Sequence, residues 1–548
     1  MKTTLLLLAG LTAAAVAAPT DTVLKAMHDE MQRSMHQLRL PSAVAPYWMA
    51  YRTRQLDQDN LGASFGAVTQ DEHVTVRVGT VDVRVGSYKL DSGPADFANV
   101  AQLPLDDNYE AIRRQFWYLS DQAYKRALTS YANRQQEAKQ RQHPSHLADF
   151  TPAAGVVRVE ALAGDDFSRA HWRAMLSRLS RRFRRYPAVR SSQVHLDHSV
   201  TTMWLTTSDG SMVRYRLPAT RLVVEAEARA QDGKILKMTL PAAARRPEDL
   251  PSEEALDAQV DGLVHRLMAA CQAPTQARYL GPVLLTGPAA PQFLYEILAA
   301  RLSGGVSPGT AEQSDLGDRL QHRILPTFLS AEDDPTREVW HGLPLLGSYP
   351  VDAQGVPAQR VELVQQGRLK ALLMGRQPGP ELSRSNGHAR TSSNVGPSNL
   401  LFSATSGVSA DDLRRRLREE CRKQGLPYGL EIVQLELAET NMNLSMLMGS
   451  RFMAMTSVPP VLVYRVDVAT GQERPVRTGP LDEISLRTLR DIMAAGQDTW
   501  TTTYPGNLLF GTPPMTLASP SLLLEELEFK PYSAGNPAPV LLTNPYFR

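Results

Sequence analysis

The chain has 548 residues, of which 43% are hydrophobic and 21% are charged, close to the average of globular proteins. This composition excludes a disordered chain and a fibre, and the length is enough for about two to four domains. The 59 basic and 57 acidic residues leave a net charge of +2, so no global field attracts nucleic acid or anionic membranes. The 2 cysteines exclude a disulfide-rich scaffold and a zinc site built from cysteines alone.

The first 17 residues have the pattern of a secretory signal peptide. Lys2 precedes the apolar run Leu5–Leu11, and Ala15-Val16-Ala17 fits the small-x-small cleavage pattern. A membrane anchor would need about 20 apolar residues, which is longer than this run. We therefore expect cleavage after Ala17 and an exported protein, periplasmic or extracellular, without a membrane span.

Hydrophobic periodicity predicts helices and antiparallel strands in the first half of the mature chain. In chain order these are a helix over 21–40, strands over 47–90, a long helix over 106–142, a helix over 168–186 and strands through residue 240. Residues 242–249, with a change of composition and Pro247, are the best candidate for a linker. The prediction is an N-terminal α/β domain over 18–245 and a second domain over 246–548.

The helix over 168–186 is dense in arginine. Its arginines are Arg169, Arg173, Arg178, Arg181, Arg182, Arg184 and Arg185. A surface for nucleic acid is one interpretation. We favour an ordinary amphipathic helix, because the chain is almost neutral and an apolar stripe recurs at helical spacing. That stripe consists of Trp172, Met175, Leu176, Leu179 and Phe183.

The second domain is predicted to be mainly β, so the expected fold class is α+β. Its predicted elements are a helix from Ser252 to about Cys271, a strand over 281–287, a helix over 291–303 that begins with Pro291, strands and turns over 340–405, a helix between Ser409 and Gly425, and strands after 455 with one helix near 485–495. In the helix after Ser409, Cys421 shares a face with Leu413 and Leu417, which indicates a buried thiol.

Common short motifs lack the context that their chemistry needs. GxSxG occurs at 62–66 and 305–309, but a nucleophile elbow must follow a strand and open a helix, so we interpret both as turns. His195 and His198 are three residues apart in a predicted strand and should point to opposite faces. His143 and His146 lie in a polar loop. Neither pair is expected to hold zinc, which needs about three convergent protein ligands.

One long stretch of the second domain carries a specific set of short sequence blocks. They are Asp333-Asp334-Pro335, Gly347-Ser348-Tyr349, Asp352, Gly355–Arg360, Gly367–Lys370, Asn386–Arg390 and Pro397–Leu400. In their order and spacing they resemble the C-terminal domain of the TldD/PmbA family, zinc peptidases and their relatives first described as modulators of DNA gyrase. The resemblance extends to the arginine-dense helix, to Ser208-Asp209-Gly210 and to residues 520–526.

The resemblance implies an N-terminal α/β domain, a mainly β C-terminal domain and protomers that pair around an internal cavity. Peptide substrates would lie along a sheet edge, whose backbone groups bind an extended chain whatever its side chains. Active family members have HExxxH on a helix and a cysteine ligand farther along. The ligands hold zinc, which lowers the pKa of a bound water, and the glutamate takes the proton.

In this chain the corresponding helix reads from Phe293 to Gly304 and departs from that motif. Tyr295 stands at the first histidine position and Ala300 at the second, while Glu296 keeps the general-base position. Alanine has no donor atom and a neutral tyrosine is a poor ligand, so no zinc is expected. Glu296 is the one candidate catalytic residue; its alternative is an ordinary helix carboxylate, which Arg301 would neutralise.

Three hypotheses for function follow from the sequence. The leading one is an exported, non-catalytic, peptidase-like protein that binds extended peptides or unfolded polypeptides, or partners an active relative, as homodimer or heterodimer. The second is an active zinc metallopeptidase with ligands recruited elsewhere, such as His322, His341 or His388. The third is a homodimeric binding module with no enzyme partner. Whether Cys271 and Cys421 pair stays open, although an oxidising compartment would allow it.

Overall fold

The computed structural model describes residues 21–94, 100–140, 147–162, 164–304, 316–379, 382–436, 460–482, 484–504, 506 and 513–533. The predicted signal peptide over 1–17, the GxSxG match at 305–309 and the pair His143 and His146 lie outside these residues. Of the helices within the described ranges, none is both long and apolar enough to cross a bilayer.

Four helices and one mainly antiparallel sheet form the first part of the chain. The helices are α1 (Thr22–Gln37), α2 (Tyr109–Gln140), α3 (Arg169–Arg181) and α4 (Glu253–Gln272). The strands are β1 (Pro46–Ser64), β2 (Ala67–Val85), β3 (Val100–Gln102), β4 (Val157–Val159), β5 (Val189–Thr207), β6 (Met212–Arg229) and β7 (Ile235–Ala244). The strand order is β3-β2-β1-β5-β6, and the long β6 also pairs with β4 and with β7.

The first GxSxG match, residues 62–66, spans the end of β1 and the turn to β2. Phe65 and Gly66 have φ angles of 47° and 87°, so both central residues are left-handed, as a tight hairpin turn requires. The hydroxyl of Ser64 donates to the backbone carbonyl of Ser192 at 2.6 Å. The prediction of a turn is confirmed, because the chain continues into a strand and not into a helix.

The two faces of this sheet have different partners. Met49 of β1 packs with α1 and α2, and Leu61, on the same face by the alternation of the strand, packs with α3 and α4. Trp48 points to the opposite face, where Tyr349 of the second part of the chain covers it. The helices therefore lie on one face, and the other face packs with residues of both parts of the chain.

Helix α3 is amphipathic, as predicted. The five residues of the apolar stripe are buried, between 0% and 7% exposed. The arginines on its other side meet acids of neighbouring elements: Arg178 donates to Glu253 at 2.7 Å and Arg182 to Asp257 at 2.8 Å, both on α4. The density of arginine in α3 is thus explained by contacts within the chain.

The connection between the two predicted domains lies three residues farther along the chain than the candidate linker. Strand β7 continues through Ala244, so only 245–252 remain, with a 3-10 turn at Pro247–Asp249. The prediction of a linker over 242–244 is wrong, because this run pairs with β6 from Thr220 to Leu222. Helix α4, which follows, packs on β6 and β7.

The second part of the chain is mainly β, which confirms the α+β prediction. Its helices are α5 (Ala289–Leu298) and α6 (Ala410–Lys423). Its strands are β8 (Tyr279–Leu285), β9 (Leu329–Asp333), β10 (Val339–Trp340), β11 (Leu343–Pro344), β12 (Val361–Gln365), β13 (Arg368–Leu369), β14 (Asn399–Ala404), β15 (Tyr428–Leu435), β16 (Pro460–Asp467), β17 (Glu473–Val476), β18 (Ile492–Ala495), β19 (Trp500–Tyr504), β20 (Met515–Ser519) and β21 (Leu522–Phe529). Two six-stranded sheets result, in the orders β17-β16-β15-β8-β21-β18 and β13-β12-β9-β14-β20-β19, and α5 contacts strands of both.

Capping residues begin α4 and α6 where the sequence predicts. The hydroxyl of Ser252 accepts from the Ala255 amide at 3.3 Å, and that of Ser409 from the Asp412 amide at 3.1 Å. Gly425, just past α6, has a φ of 70° that suits a helix C-terminus.

Two predicted helices differ from the structure. Helix α5 begins at Ala289, so Pro291 is its third residue, which the first turn tolerates because its amide would have no helical partner. It ends at Leu298 and a 3-10 turn follows over Ala299–Arg301. The helix near 485–495 is wrong: Thr488–Asp491 form a 3-10 turn, and β18 then pairs with β21, a tertiary contact that local periodicity does not predict.

Candidate functional site

Helix α5, on which the resemblance places the family zinc motif, is held between the two C-terminal sheets. Phe293, Leu294, Ile297 and Leu298 are at most 1% exposed and belong to the main hydrophobic core. The side-chain oxygen of Gln292 accepts from the Leu435 amide at 2.8 Å, which ties the start of α5 to the end of β15. The position of the motif is therefore set by core packing on one side and by a buried hydrogen bond on the other.

Tyr295, at the first histidine position, stacks on Tyr504 of edge strand β19. The ring centroids are 3.8 Å apart and the planes differ by 18°. Burial, and to a smaller extent the charge of Glu296, raises the pKa of the Tyr295 hydroxyl to about 12. Tyr295 is thus a neutral phenol at physiological pH, and its face is in van der Waals contact with a second ring.

Glu296 and Ala300 lie at the two remaining motif positions. Glu296 is half-buried, and burial raises the pKa of its carboxyl above the ordinary value. Ala300 is exposed in the 3-10 turn that follows α5. Arg301 donates a hydrogen bond to the backbone carbonyl of Ile297.

Gly304, at the end of the segment that resembles the family motif, has a steric role. Its amide donates to the Leu373 carbonyl at 2.9 Å. A Cβ atom at this position would come within 2.7 Å of both the Leu372 Cβ and the Met374 Sδ. A side chain would push the chain after α5 away from residues 372–374, so this glycine is needed for packing.

The sequence blocks of the family resemblance form a buried polar scaffold. Asp333 accepts from the backbone amide of Ser398 at 2.9 Å, from the Ser398 hydroxyl and from Nε2 of His388 at 3.0 Å. Asp352 accepts from the amides of Val356 at 2.9 Å and Ala389 at 3.1 Å. These polar side chains hold irregular loops in place, because each satisfies backbone groups that no strand pairs.

The histidines proposed as alternative ligands lie in separate environments. His388 is fully buried, with Nδ1 2.9 Å from the Asn386 carbonyl and Nε2 on Asp333. His341 stacks on Trp340, and His322 lies on an exposed turn. In the part of the chain that the structure describes, no group of three or more His, Cys, Asp or Glu side chains is placed to hold a metal ion.

His195 and His198 point to opposite faces of β5, as predicted. Nε2 of His195 lies 2.6 Å from Oδ1 of Asp197. His198 is buried between Thr220 and Asp165, and its ring stacks on Phe167 at 4.2 Å. The alternation of a strand therefore separates the two imidazoles, and they form no common site.

Both cysteines are free, buried thiols. Cys271 belongs to the core around α3 and α4, and Cys421 to the core under α6. Burial raises the pKa of the Cys421 thiol to about 11 and also raises that of Cys271. The prediction of a buried Cys421 is confirmed, and the two thiols are not joined in this structure.

Both thiols should therefore resist alkylation in the folded protein. At pH 8 a thiol with a pKa near 11 is ionised in only about one molecule in a thousand, and the thiolate is the reacting form. Iodoacetamide treatment followed by mass spectrometry should find no label in native protein and two labels after unfolding without reductant. Rapid labelling of the native protein, or no labelling after unfolding, would contradict this expectation.

A cavity of about 430 Å³ lies away from α5 and was not predicted from the sequence. It borders β7, the outer strand of the N-terminal sheet, and the ends of β15 and β16. We call it the β7 cavity. A sequence signal existed in Pro241, since proline within a strand indicates an edge, but the sequence gives no sign of the surface that faces this edge.

Comparisons with known proteins agree with the architecture. Residues 277–423 match a family model described as the PmbA/TldA metallopeptidase C-terminal domain. A putative modulator of DNA gyrase from Thermotoga maritima has 16% identity and a TM-score of 0.60, over 92% of this chain and 99% of that chain. TldE from Thermococcus kodakarensis has 12% identity and a TM-score of 0.61, over 93% and 100%. A putative modulator of DNA gyrase from Bacteroides thetaiotaomicron has 12% identity and a TM-score of 0.60, over 93% and 98%. No curated protein matches the sequence significantly.

The solved structures and this chain share one fold. The chain has the fold of the gyrase-modulator and TldE structures over nearly its whole length. Residues 277–423 are similar to the PmbA/TldA metallopeptidase C-terminal domain, so the resemblance seen in the sequence blocks is supported.

Proposed function

We propose that this chain is an exported, non-catalytic protein of the TldD/PmbA type, which binds extended peptides or partners an active relative. The observation that carries the proposal is the stack of Tyr295 on Tyr504. One face of the side chain at the first ligand position packs on a second aromatic ring, which supports a packing role for Tyr295.

The donor set at α5 does not fit zinc. A catalytic zinc needs three protein ligands and an open position for water. Tyr295 keeps its proton at physiological pH, Ala300 has no donor atom, and Glu296 alone is a single carboxylate. We therefore assign no hydrolytic step to this site.

Glu296 lies in an environment that disfavours its charged form. Burial raises the pKa of this carboxyl, so its proton is held more tightly than in water. In an active relative, a metal ion near this position would favour the charged form instead. Without that ion, Glu296 remains a half-buried helix carboxylate.

The family offers a precedent for a partner role. PmbA-type subunits lack the metal motif and pair with TldD-type subunits that carry it. A protomer without zinc can still supply half of a peptide cavity to such a pair. The gyrase name of the relatives is not carried over, because an exported protein does not meet gyrase.

Purified protein should contain no stoichiometric zinc and should leave casein intact. The reason is the missing ligand set at Tyr295 and Ala300. Elemental analysis and a casein digestion with and without a chelator measure this, with a zinc peptidase as the positive control. Stoichiometric zinc, together with chelator-sensitive cleavage that Glu296→Gln abolishes, would overturn the non-catalytic proposal in favour of a zinc peptidase.

Export should remove the first 17 residues. When the full-length gene is expressed, N-terminal sequencing of protein from the periplasm or medium should begin at Ala18. A variant with Leu7→Arg and Leu8→Arg, which interrupts the apolar run, should stay inside the cell at full length. An intact Met1 on protein recovered outside the cytoplasm would contradict the signal peptide.

A further inference from the structure

The β7 cavity has the size and composition of a ligand site. Its volume of about 430 Å³ is in the range of small-ligand pockets, roughly 300–1,000 Å³. One wall is apolar and includes Val223, Val461, Leu462 and Val463. Tyr295 and Glu296 do not line it, so it is separate from the degenerate zinc position.

Among the strands that the structure describes, none pairs with the edge of β7 that faces this cavity. In the hairpin before β7, the Ala230 amide donates to the Lys234 carbonyl at 2.9 Å, which makes these two residues a hydrogen-bonded pair. Hydrogen-bonded and non-hydrogen-bonded pairs alternate along an antiparallel ladder. The backbone groups of Ile235, Lys237 and Thr239 therefore point away from β6.

One hydrogen bond and the position of one proline agree with this orientation. The Gln434 side chain donates to the Thr239 carbonyl at 3.3 Å from the side opposite β6. Pro241 continues the same series and lacks the amide that would point outward, so it costs the ladder no hydrogen bond. Ile235 and Lys237 thus offer outward backbone groups that an extended chain can pair with.

The cavity also contains buried polar atoms without partners. Thr478 is 8% exposed, and its hydroxyl makes no hydrogen bond within the described chain. Nδ1 of His195 is likewise buried and unpaired, while Nε2 contacts Asp197. A ligand with polar groups can satisfy these two atoms when it displaces water from the cavity.

A cation without a carboxylate partner stands at the same wall. The Lys234 ammonium lies 4.6 Å from the ring centroid of Tyr532, and no described carboxylate pairs with it. Two other basic residues of the lining do have carboxylate partners. Lys237 forms an ion pair with Glu225 at 2.6 Å, and Arg477 forms one with Asp232 at 2.8 Å. Lys234 is therefore a cation of this lining that a negatively charged ligand group can bind.

We propose that the β7 cavity binds an extended peptide that carries a carboxylate. The peptide backbone pairs with the outward groups of Ile235 and Lys237, its carboxylate binds the Lys234 ammonium, and its apolar side chains meet the wall formed by 461–463. The inference rests on the peptide binding of the proposed function and assigns it a place and a charge preference. A strand edge together with a fixed cation selects a chemical class of peptide without selecting one sequence.

The charge preference is tested with two labelled peptides, acetyl-Thr-Val-Thr-Val-Glu-amide and the same peptide ending in Gln-amide. Fluorescence anisotropy with the full-length mature protein should find the Glu peptide about tenfold tighter, as expected for a charge-assisted contact. Lys234→Met should remove this difference, and Lys89→Met, at an exposed lysine outside the cavity, should preserve it. Equal binding of the two peptides by the unmodified protein would overturn the charge assignment.

The strand edge is tested by Ile235→Pro, with Ile235→Val as the matched control. Proline at 235 removes an outward amide and no ladder hydrogen bond, as Pro241 already does, so thermal unfolding should change little. Affinity for both peptides should fall about three- to tenfold with proline, as expected for one lost hydrogen bond, and should stay unchanged with valine.

The experiments distinguish a failure of the β7 cavity as the peptide site from a failure of the proposed non-catalytic function. If the peptides bind and neither Lys234→Met nor Ile235→Pro weakens them, the β7 cavity is not the site, while non-catalytic peptide binding stands. If the unmodified protein binds neither peptide, the inference is overturned, and the proposed function is still judged by its zinc content and casein digestion. Binding of free glutamate as tightly as the Glu peptide would overturn the role of the strand edge.

Discussion

Replacing Asp333 by alanine is expected to destabilise the protein by about 3–5 kcal/mol. This carboxylate is 0% exposed and accepts from the Ser398 amide and from His388, at 2.9 and 3.0 Å, and also from the Ser398 hydroxyl. Removing it leaves those buried groups without an acceptor, and each such group costs about 1–3 kcal/mol. Thermal and denaturant unfolding of the purified variant measure the loss.

Two further variants test whether the loss of stability comes from the buried acceptor oxygens of Asp333. Asp333→Asn keeps one acceptor oxygen, so its loss should be smaller than that of Asp333→Ala. Asp411, whose side chain is 99% exposed, should tolerate alanine with little change. An Asp333→Ala protein as stable as the original would show that the Asp-Asp-Pro block does not hold the loops together.

Replacing Arg376 by alanine is expected to cost a similar amount, about 3–5 kcal/mol, at the junction of the two parts of the chain. Its side chain is 1% exposed and donates to Asp209 at 2.7 Å and to the Thr151 carbonyl at 2.7 Å. Its guanidinium also lies 4.2 Å from the Phe150 ring centroid. Alanine removes the ion pair and leaves Asp209, in a largely buried position, without its cation.

A double-mutant cycle separates the ion pair from the packing. Asp209→Ala alone leaves the buried Arg376 without its carboxylate, so it should also destabilise. Since the two residues are in contact, the double variant should be less destabilised than the sum of the two single variants. Strict additivity of the three free energies of unfolding would contradict a direct coupling between Arg376 and Asp209.

Elements with strong local signals agree with the sequence predictions. Helix α3 shows a complete apolar stripe, and Ser252 and Ser409 are N-caps in the structure as they are in the pattern. These features depend on residues within a few positions of one another. The predictions that failed depend on partners distant in the chain: residues 242–244 pair with β6, and 492–495 pair with β21.

At the candidate site, too, some features could be predicted from the sequence and others required the structure. That Tyr295, Glu296 and Ala300 occupy the motif positions follows from the sequence and the resemblance alone. That Tyr295 lies against Tyr504 requires the structure, because 209 positions separate the two residues and several strands intervene. The roles of Asp209 and Asp333 in the blocks also became clear only from their contacts with Arg376, Ser398 and His388.

By itself, the sequence determined the fold class, the apolar face of each well-marked helix and which donor atoms stand at 295, 296 and 300, because composition, periodicity and donor atoms are properties of the residues. Only the tertiary structure decided which surfaces meet: the ring that covers Tyr295, the loops that Asp333 holds, and the cavity at the outer edge of β7. These contacts join residues far apart in the chain. Their geometry depends on the packing of the two parts of the chain together, which no local pattern specifies.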